Sequence, residues 1–328
     1  MSELYPLKFK TIFKDKIWGG NKINTVLKKD YGDLPNCGET WEVSGVKGNI
    51  SEVAEGPLEG RLLTDLISSY KGELLGERVY EKFGNEFPLL IKFIDAKEDL
   101  SIQVHPNDEL AKERHNSFGK TEMWYVMQAD EGSSLISGFN CELDKDKYLE
   151  YFESGRLEKI LNREQVENDD VFFLPAGRVH TIGKGLLIAE IQQTSDITYR
   201  IYDFDRVDDQ GNHRELHVEE ALDAIDYKKY DEYKLSYDKT APGVTPLVIS
   251  QYFDTKKLNL ESAEIRDLSQ NDSFYIYIVL EGEGSISYDH GKTVAFQKGD
   301  SVLVPACINE ISISSQGKSK ILETTVPV

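Results

Sequence analysis

The chain has 328 residues, 39% of them hydrophobic, with 38 Lys and Arg against 58 Asp and Glu for a net charge of −20. That charge argues against nucleic-acid binding, which needs basic faces to neutralise phosphates, and a small anionic ligand would need cations gathered locally against the overall field. No apolar run approaches the ~18 residues of a membrane span, and Met1-Ser-Glu-Leu-Tyr-Pro lacks a basic-then-apolar leader. A cytoplasmic protein of about two domains, with no membrane or nucleic-acid partner, is expected. Cys37, Cys141 and Cys307 are too scattered for a disulfide framework or a metal knuckle.

Taken in chain order, helical patterns are few. Leu58 to Ser69 and Leu74 to Phe83 read as helices, as does Asp108 to Arg114. Asp144 to Leu161 reads as one or two helices broken near Gly155, and His217 to Ile225 starts another. Short runs rich in β-branched and aromatic residues dominate instead. Examples begin at Pro88, Met123, Val171, Leu186 and Phe274, and they read as strands of a sandwich or barrel.

A weak internal repeat organises these strands. Asp170-Val-Phe-Phe-Leu-Pro-Ala-Gly-Arg-Val-His180 parallels Asp300-Ser-Val-Leu-Val-Pro-Ala-Cys-Ile-Asn-Glu310, and Tyr125-Val-Met-Gln-Ala-Asp-Glu-Gly132 parallels Tyr277-Ile-Val-Leu-Glu-Gly-Glu-Gly284. The two offsets, from Asp170 to Asp300 and from Tyr125 to Tyr277, differ because the first copy carries an insertion at about 142–165, where the broken helix lies. The expected architecture is mainly β: two related jelly-roll barrels, 1–239 and 240–328, joined through Thr240-Ala-Pro-Gly-Val-Thr-Pro246. This alignment sets Glu122 against Phe274 and His180 against Glu310, so only the first barrel keeps its polar set.

That set carries the chemistry. In Leu100-Ser-Ile-Gln-Val-His-Pro-Asn107, Gln103 and His105 stand two apart, which puts both on one face of a strand. Glu122 opens the next strand, and His180 follows a compact Pro-Ala-Gly turn. Two imidazoles, a carboxylate and an amide oxygen suit one Zn²⁺ per chain, or Mn²⁺, Co²⁺ or Fe²⁺, better than Mg²⁺ or Ca²⁺. His115, His213, His217 and His290 sit in polar or helical contexts and read as surface or structural residues. Trp18, Trp41 and Trp124 read as buried strand residues rather than sugar-facing ones.

These motifs resemble the type I mannose-6-phosphate isomerases of the cupin superfamily. Beyond Gln-x-His-Pro-Asn, Lys120-Thr-Glu122 and Pro-x-Gly-x-x-His, the resemblance extends to Ile17-Trp-Gly-Gly20, to Gly38-Glu-Thr-Trp-Glu-Val-Ser-Gly45 and to Gln192-Gln-Thr-Ser-Asp-Ile-Thr-Tyr-Arg-Ile-Tyr-Asp203. The length matches the short bacterial form, without the large helical domain of longer members. The resemblance implies zinc-dependent conversion of mannose 6-phosphate to fructose 6-phosphate by proton transfer through an enediol. It makes Gln103, His105, Glu122 and His180 the metal ligands, and Arg200, Asp196 and Lys120 the catalytic candidates. Ser101, with Lys120 and Arg200, is a candidate for binding the substrate, and the protein is expected as a monomer or homodimer.

Other readings stand beside these. Arg200 can instead pair with Asp196, Asp203 or Asp205 at a barrel rim, and Arg178 and Lys184 read as surface residues flanking His180. An isomerase of another sugar, or a non-catalytic sugar-binding regulatory cupin, is the alternative function.

Overall fold

The computed structural model describes residues 4–208 and 210–327. Four antiparallel sheets stack in layers. In the first half, a six-stranded sheet runs in the order Ile12–Gly20, Cys37–Ser44, Leu89–Ala96, Leu186–Gln193, Glu122–Ala129, Val171–Leu174. It faces a five-stranded sheet ordered Tyr199–Tyr202, Ile102–Val104, His180–Ile182, Ser134–Phe139, Leu161–Gln165. Trp18, Ile94, Trp124, Leu135, Ile182 and Ile188 fill the space between them.

The second half repeats the plan. A sheet ordered Leu7–Lys8, Ser301–Val304, Tyr275–Glu281, Ser319–Thr325, Asp254–Leu260, Gly243–Ile249 faces one ordered Glu264–Asp267, Glu310–Ser315, Glu283–Tyr288, Lys292–Gln297. The two six-stranded sheets then pack back to back. Ile91, Phe93, Met123, Tyr125 and Ile191 from one meet Phe253, Phe274, Ile276 and Leu322 from the other in one large cluster. Strands Leu89–Ala96 and Leu186–Gln193 are therefore buried on both faces, which is why they read as nearly unbroken apolar runs.

The helices cover what remains exposed. Lys145–Glu153, capped by Asp144, and Val218–Ala224 close the outer face of the five-stranded sheet over Ile102, Ile136 and Phe139. Gly155, at φ 67°, separates the first of these from a short 3-10 turn, as its sequence position predicts. The two expected helices between Leu58 and Phe83 prove to be three, Leu63–Tyr70, Gly72–Leu75 and Glu77–Phe83. Lys71 and Gly76 adopt positive φ and break the run. The expected linker Thr240–Pro246 is also only partly a linker, because a strand begins at Gly243. Pro246 is tolerated there because that strand is the edge of its sheet.

Strand order confirms the internal repeat and corrects its alignment. The strands Leu89, Leu186, Glu122 and Val171 begin occupy the same order as those that Asp254, Ser319, Tyr275 and Ser301 begin. Side-chain faces, however, set the strand of Glu122 and the position of His180 one residue later than the sequence alignment does, while Phe172 and Leu174 keep Val302 and Val304 as their counterparts. Glu122 and Trp124 point into the first sandwich, while Tyr275 and Tyr277, not Phe274, point into the second. Gln103 pairs with His180, and the inward pair at the same place is Arg266 with Ile311. A one-residue slip moves a whole strand to its other face, so buried faces decide the register. The positions of Gln103, His105, Glu122 and His180 thus hold Arg266, Leu268, Tyr275 and Ile311.

Candidate metal and active site

Strand pairing brings the predicted residues together. Gln103 lies directly opposite His180 on one side and opposite Arg200 on the other. Glu122, first in its strand, faces the same interior. His105 Nε2 lies 3.5 Å from Glu122 Oε2, and His180 Nε2 lies 3.3 Å from Glu122 Oε1. The ligand atoms of His105, Glu122 and His180 all fall within 4.8 Å of one another, and the three residues are buried.

The local backbone explains how the imidazoles are aimed. His105 Nδ1 bonds the Ile197 carbonyl at 2.8 Å, and His180 Nδ1 bonds the Arg178 carbonyl at 2.8 Å. A carbonyl only accepts, so Nδ1 carries the proton in both rings and each Nε2 presents a lone pair inward. Burial first, then the charge of Lys120 and His180, holds His105 well below the usual imidazole range. Burial likewise brings His180 down to about 4. Both rings are therefore neutral, the form that binds metal. The Pro175–His180 turn needs Gly177 at φ 90°, where a Cβ would meet the Ala224 carbonyl oxygen at 2.9 Å.

Several buried atoms lack hydrogen bonds in a way that fits a cation. His105 Nε2 and both Glu122 carboxylate oxygens have no well-aligned hydrogen bond although they are sealed from solvent. Such orphaned polar groups are costly unless something else satisfies them. Burial and the neighbouring Glu190 raise the Glu122 carboxyl, against Lys120 and Lys92; a cation between the rings would favour its ionised form. Gln103 Nε2 stands 3.3 Å from His180 Nε2, and Oε1 accepts from Ser101. A half-turn of this amide exchanges the two atoms and presents an oxygen to the same point. All four candidate ligands can converge on one ion.

Beside this cluster opens a cavity of about 420 Å³. Lys14, Lys16, Lys92, Lys120, Arg200 and Arg214 line it, against Glu39, Glu190 and Asp196. In a chain of net charge −20 this is a local reversal of sign. Lys120 Nζ lies 3.1 Å from Glu122 Oε2, and Ser101 is on the same wall. Asp196 is exposed and also borders a neighbouring open groove.

Arg200 is not spent on a rim ion pair. Asp203 accepts instead from Arg206 Nη2 at 2.5 Å and from Arg214 Nε at 2.7 Å. Among the described residues no carboxylate lies within 4.0 Å of the Arg200 guanidinium. One of its nitrogens donates to the Glu215 carbonyl at 2.7 Å, while its buried Nε has no partner. Arg178 departs from expectation in another way. It is buried, with its guanidinium 4.5 Å and 4.7 Å from the Tyr230 and Tyr233 ring centres, on neither the protein surface nor the cavity wall. Lys184 is exposed, as its sequence context predicts. Trp124 packs edge-on against His180, and Trp18 and Trp41, expected to be plain core residues, line the cavity.

Sequence reasoning missed the buried pair Lys92 and Glu190. Lys92 Nζ lies 3.0 Å from Glu190 Oε1, and the Trp124 indole donates to Glu190 Oε2 at 2.8 Å. Burial works against Glu190's charge, but Lys92 and Lys120 bring its carboxyl below the ordinary range. Burial likewise opposes the Lys92 ammonium, and Glu190 and Glu39 outweigh it. The available signal was a lone charge inside each apolar run, Leu89-Leu-Ile-Lys92 and Leu186-Leu-Ile-Ala-Glu190. The second sandwich keeps the same cross-strand row, with Lys256 opposite Glu323 and Glu323 opposite Tyr277. There Arg266 closes it with two 2.8 Å bonds to Glu323.

Comparison with known proteins identifies the family. Residues 6–132 match the family described as phosphomannose isomerase type I, catalytic domain, and residues 243–321 match the mannose-6-phosphate isomerase cupin domain. Mannose-6-phosphate isomerase ManA of Bacillus subtilis is 36% identical over 318 residues, covering 94% of this chain and 95% of that protein. The Streptococcus mutans enzyme of the same name is 36% identical over 311 residues, covering 92% and 93%. The crystal structure of the mannose 6-phosphate isomerase from Bacillus subtilis superposes with a TM-score of 0.87 at 33% identity, covering 97% of this chain and 99% of that one. The chain belongs to the type I phosphomannose isomerase family and has its mainly β, two-cupin architecture.

Proposed function

We propose that this protein interconverts mannose 6-phosphate and fructose 6-phosphate in the cytoplasm, using one divalent ion held by Gln103, His105, Glu122 and His180. Zinc is the first candidate, since neutral imidazoles with a carboxylate suit it, and Mn²⁺, Co²⁺ and Fe²⁺ suit the same donors. The observation that carries the reading is the meeting of buried ligand atoms, those of His105 and Glu122 without a hydrogen bond, with a cationic cavity in an acidic chain. The same proposal divides the chain near residue 240 into a catalytic unit, 1–239, and a structural one, 240–328, with Leu7–Lys8 joining the second unit's sheet.

The reaction moves a proton between C1 and C2 of an open-chain sugar. When bound, a divalent cation supplies stabilisation for negative charge developing on the sugar oxygens. The chain's own groups do the rest. Arg200, with no carboxylate partner among the described residues, offers donors to an anionic enediolate or to phosphate. Lys120 points into the cavity from beside Glu122 and serves proton movement at a substrate oxygen. Asp196 completes the catalytic set at the mouth, and Ser101 offers a hydroxyl to the phosphate. Lys92 and Glu190 form a fixed polar wall whose dipoles are oriented before substrate arrives.

The test is conversion of mannose 6-phosphate to fructose 6-phosphate by purified protein, before and after chelation and after adding back Zn²⁺. Turnover that vanishes with the metal and returns with it is expected. Metal-loaded protein that binds the sugar phosphate without turning it over would mark a regulatory cupin. Equal turnover of unphosphorylated mannose would reject the phosphate assignment.

A further inference from the structure

Tyr252 lies in the turn between strands Gly243–Ile249 and Asp254–Leu260 of the second sandwich. Its hydroxyl reaches across to the first and donates to Asp108 Oδ2 at 2.8 Å. Asp108 Oδ1 accepts from the Gly119 backbone N–H at 2.8 Å and from Gln193 Nε2 at 3.0 Å. Gln193 Oε1 then accepts from the Thr121 backbone N–H at 2.8 Å. Thr121 Oγ1 in turn accepts from the Ala176 N–H at 3.2 Å, in the turn before His180.

Asp108 is not used as the helix cap. Asn107 takes that role, accepting from Leu110 N–H at 2.9 Å. The Asp108 carboxylate is thus left for three donors from three different segments. It stands three residues after His105, one of its donors precedes Lys120, and another follows Gln192, the strand partner of Glu122. A carboxylate can only accept, and Gln193 is buried, so losing the Asp108 acceptor strands the Gln193 amide.

We propose that Tyr252 and Asp108 are positioning residues: through Gln193 and Thr121 the second sandwich holds Lys120 and Glu122 in working geometry. This rests on the assignment of those two residues to the isomerase site. It gives a task to a unit whose own ligand positions hold Arg266, Leu268, Tyr275 and Ile311. Displacements well under an ångström are enough to slow a reaction that depends on aligned groups.

The test uses the full-length protein carrying Tyr252→Phe, Asp108→Asn or both, assayed for kcat and KM and examined by the visible absorption of the Co²⁺-loaded form. We expect kcat to fall about 5-fold in Tyr252→Phe and about 30-fold in Asp108→Asn, with KM within about 2-fold of the parent. The double variant should be no worse than Asp108→Asn alone, because both act through one path. The Co²⁺ band should shift in Asp108→Asn. Parent kcat and an unshifted band in Tyr252→Phe and Asp108→Asn would overturn the inference, as would losses that multiply in the double variant. An inactive parent whose Co²⁺ band still shifts with Asp108→Asn would instead reject the isomerase reading and keep the relay.

Discussion

Lys92 and Glu190 face each other across adjacent strands, their charges 3.0 Å apart and their side chains only 7% and 3% exposed. Neither is an isolated charge, since Glu190 also accepts from Trp124. Removing one partner leaves the other buried and uncompensated. Lys92→Met should therefore cost about 3–5 kcal/mol of stability, more than the pair itself contributes. Lys92→Met with Glu190→Gln should recover part of that loss. Urea unfolding of Lys92→Met, Glu190→Gln, the double variant and the parent measures both; a double variant that is simply additive would refute the coupling.

His105→Ala and His180→Ala should each lose the metal and at least about 10²-fold in turnover while the fold persists. Metal content per chain by mass spectrometry, with circular dichroism as the check on folding, decides this. A variant that retains one ion per chain would show that its imidazole is not a ligand.

Arg200→Ala should keep its metal but lose about 10²-fold in kcat/KM, because the guanidinium has no carboxylate to satisfy among the described residues and lines the cavity. Arg200→Lys should recover little, since a point charge replaces a planar fork. Parent-like kinetics in Arg200→Ala would return the residue to a structural role.

The Glu39 carboxyl bears on acid stability. Burial opposes its charge, but Lys92, Lys16 and the Trp41 indole hold its pKa at about 2, against 4.5 for a free glutamate. A carboxyl whose pKa is lower in the folded state stabilises the protein above the unfolded value and ceases to as pH falls through the folded one. The stabilisation is therefore complete above about pH 5 and lost between about pH 4.5 and pH 2. Glu39→Gln should be less stable than the parent at pH 7, with the difference shrinking across that window. Equal urea midpoints at pH 7 would contradict it.

Much of the site was legible in the sequence because short-range geometry governs it. The two-residue spacing of Gln103 and His105 puts both on one strand face, and the Pro-Ala-Gly turn aims His180 inward. Composition implied that an anionic ligand would need cations gathered locally in a chain of net charge −20. Tertiary structure decided what spacing cannot carry. It placed Lys92 beside Glu190, 98 residues apart in the chain, and left Arg200 without a carboxylate among the described residues, Arg206 and Arg214 having taken Asp203. It also moved the Glu122 strand of the repeat by one residue, since only the burial of opposite faces can tell Phe274 from Tyr275 as the counterpart of Glu122. Local pattern sets which way a side chain points along its own strand, while its partners depend on sheet pairings between distant segments.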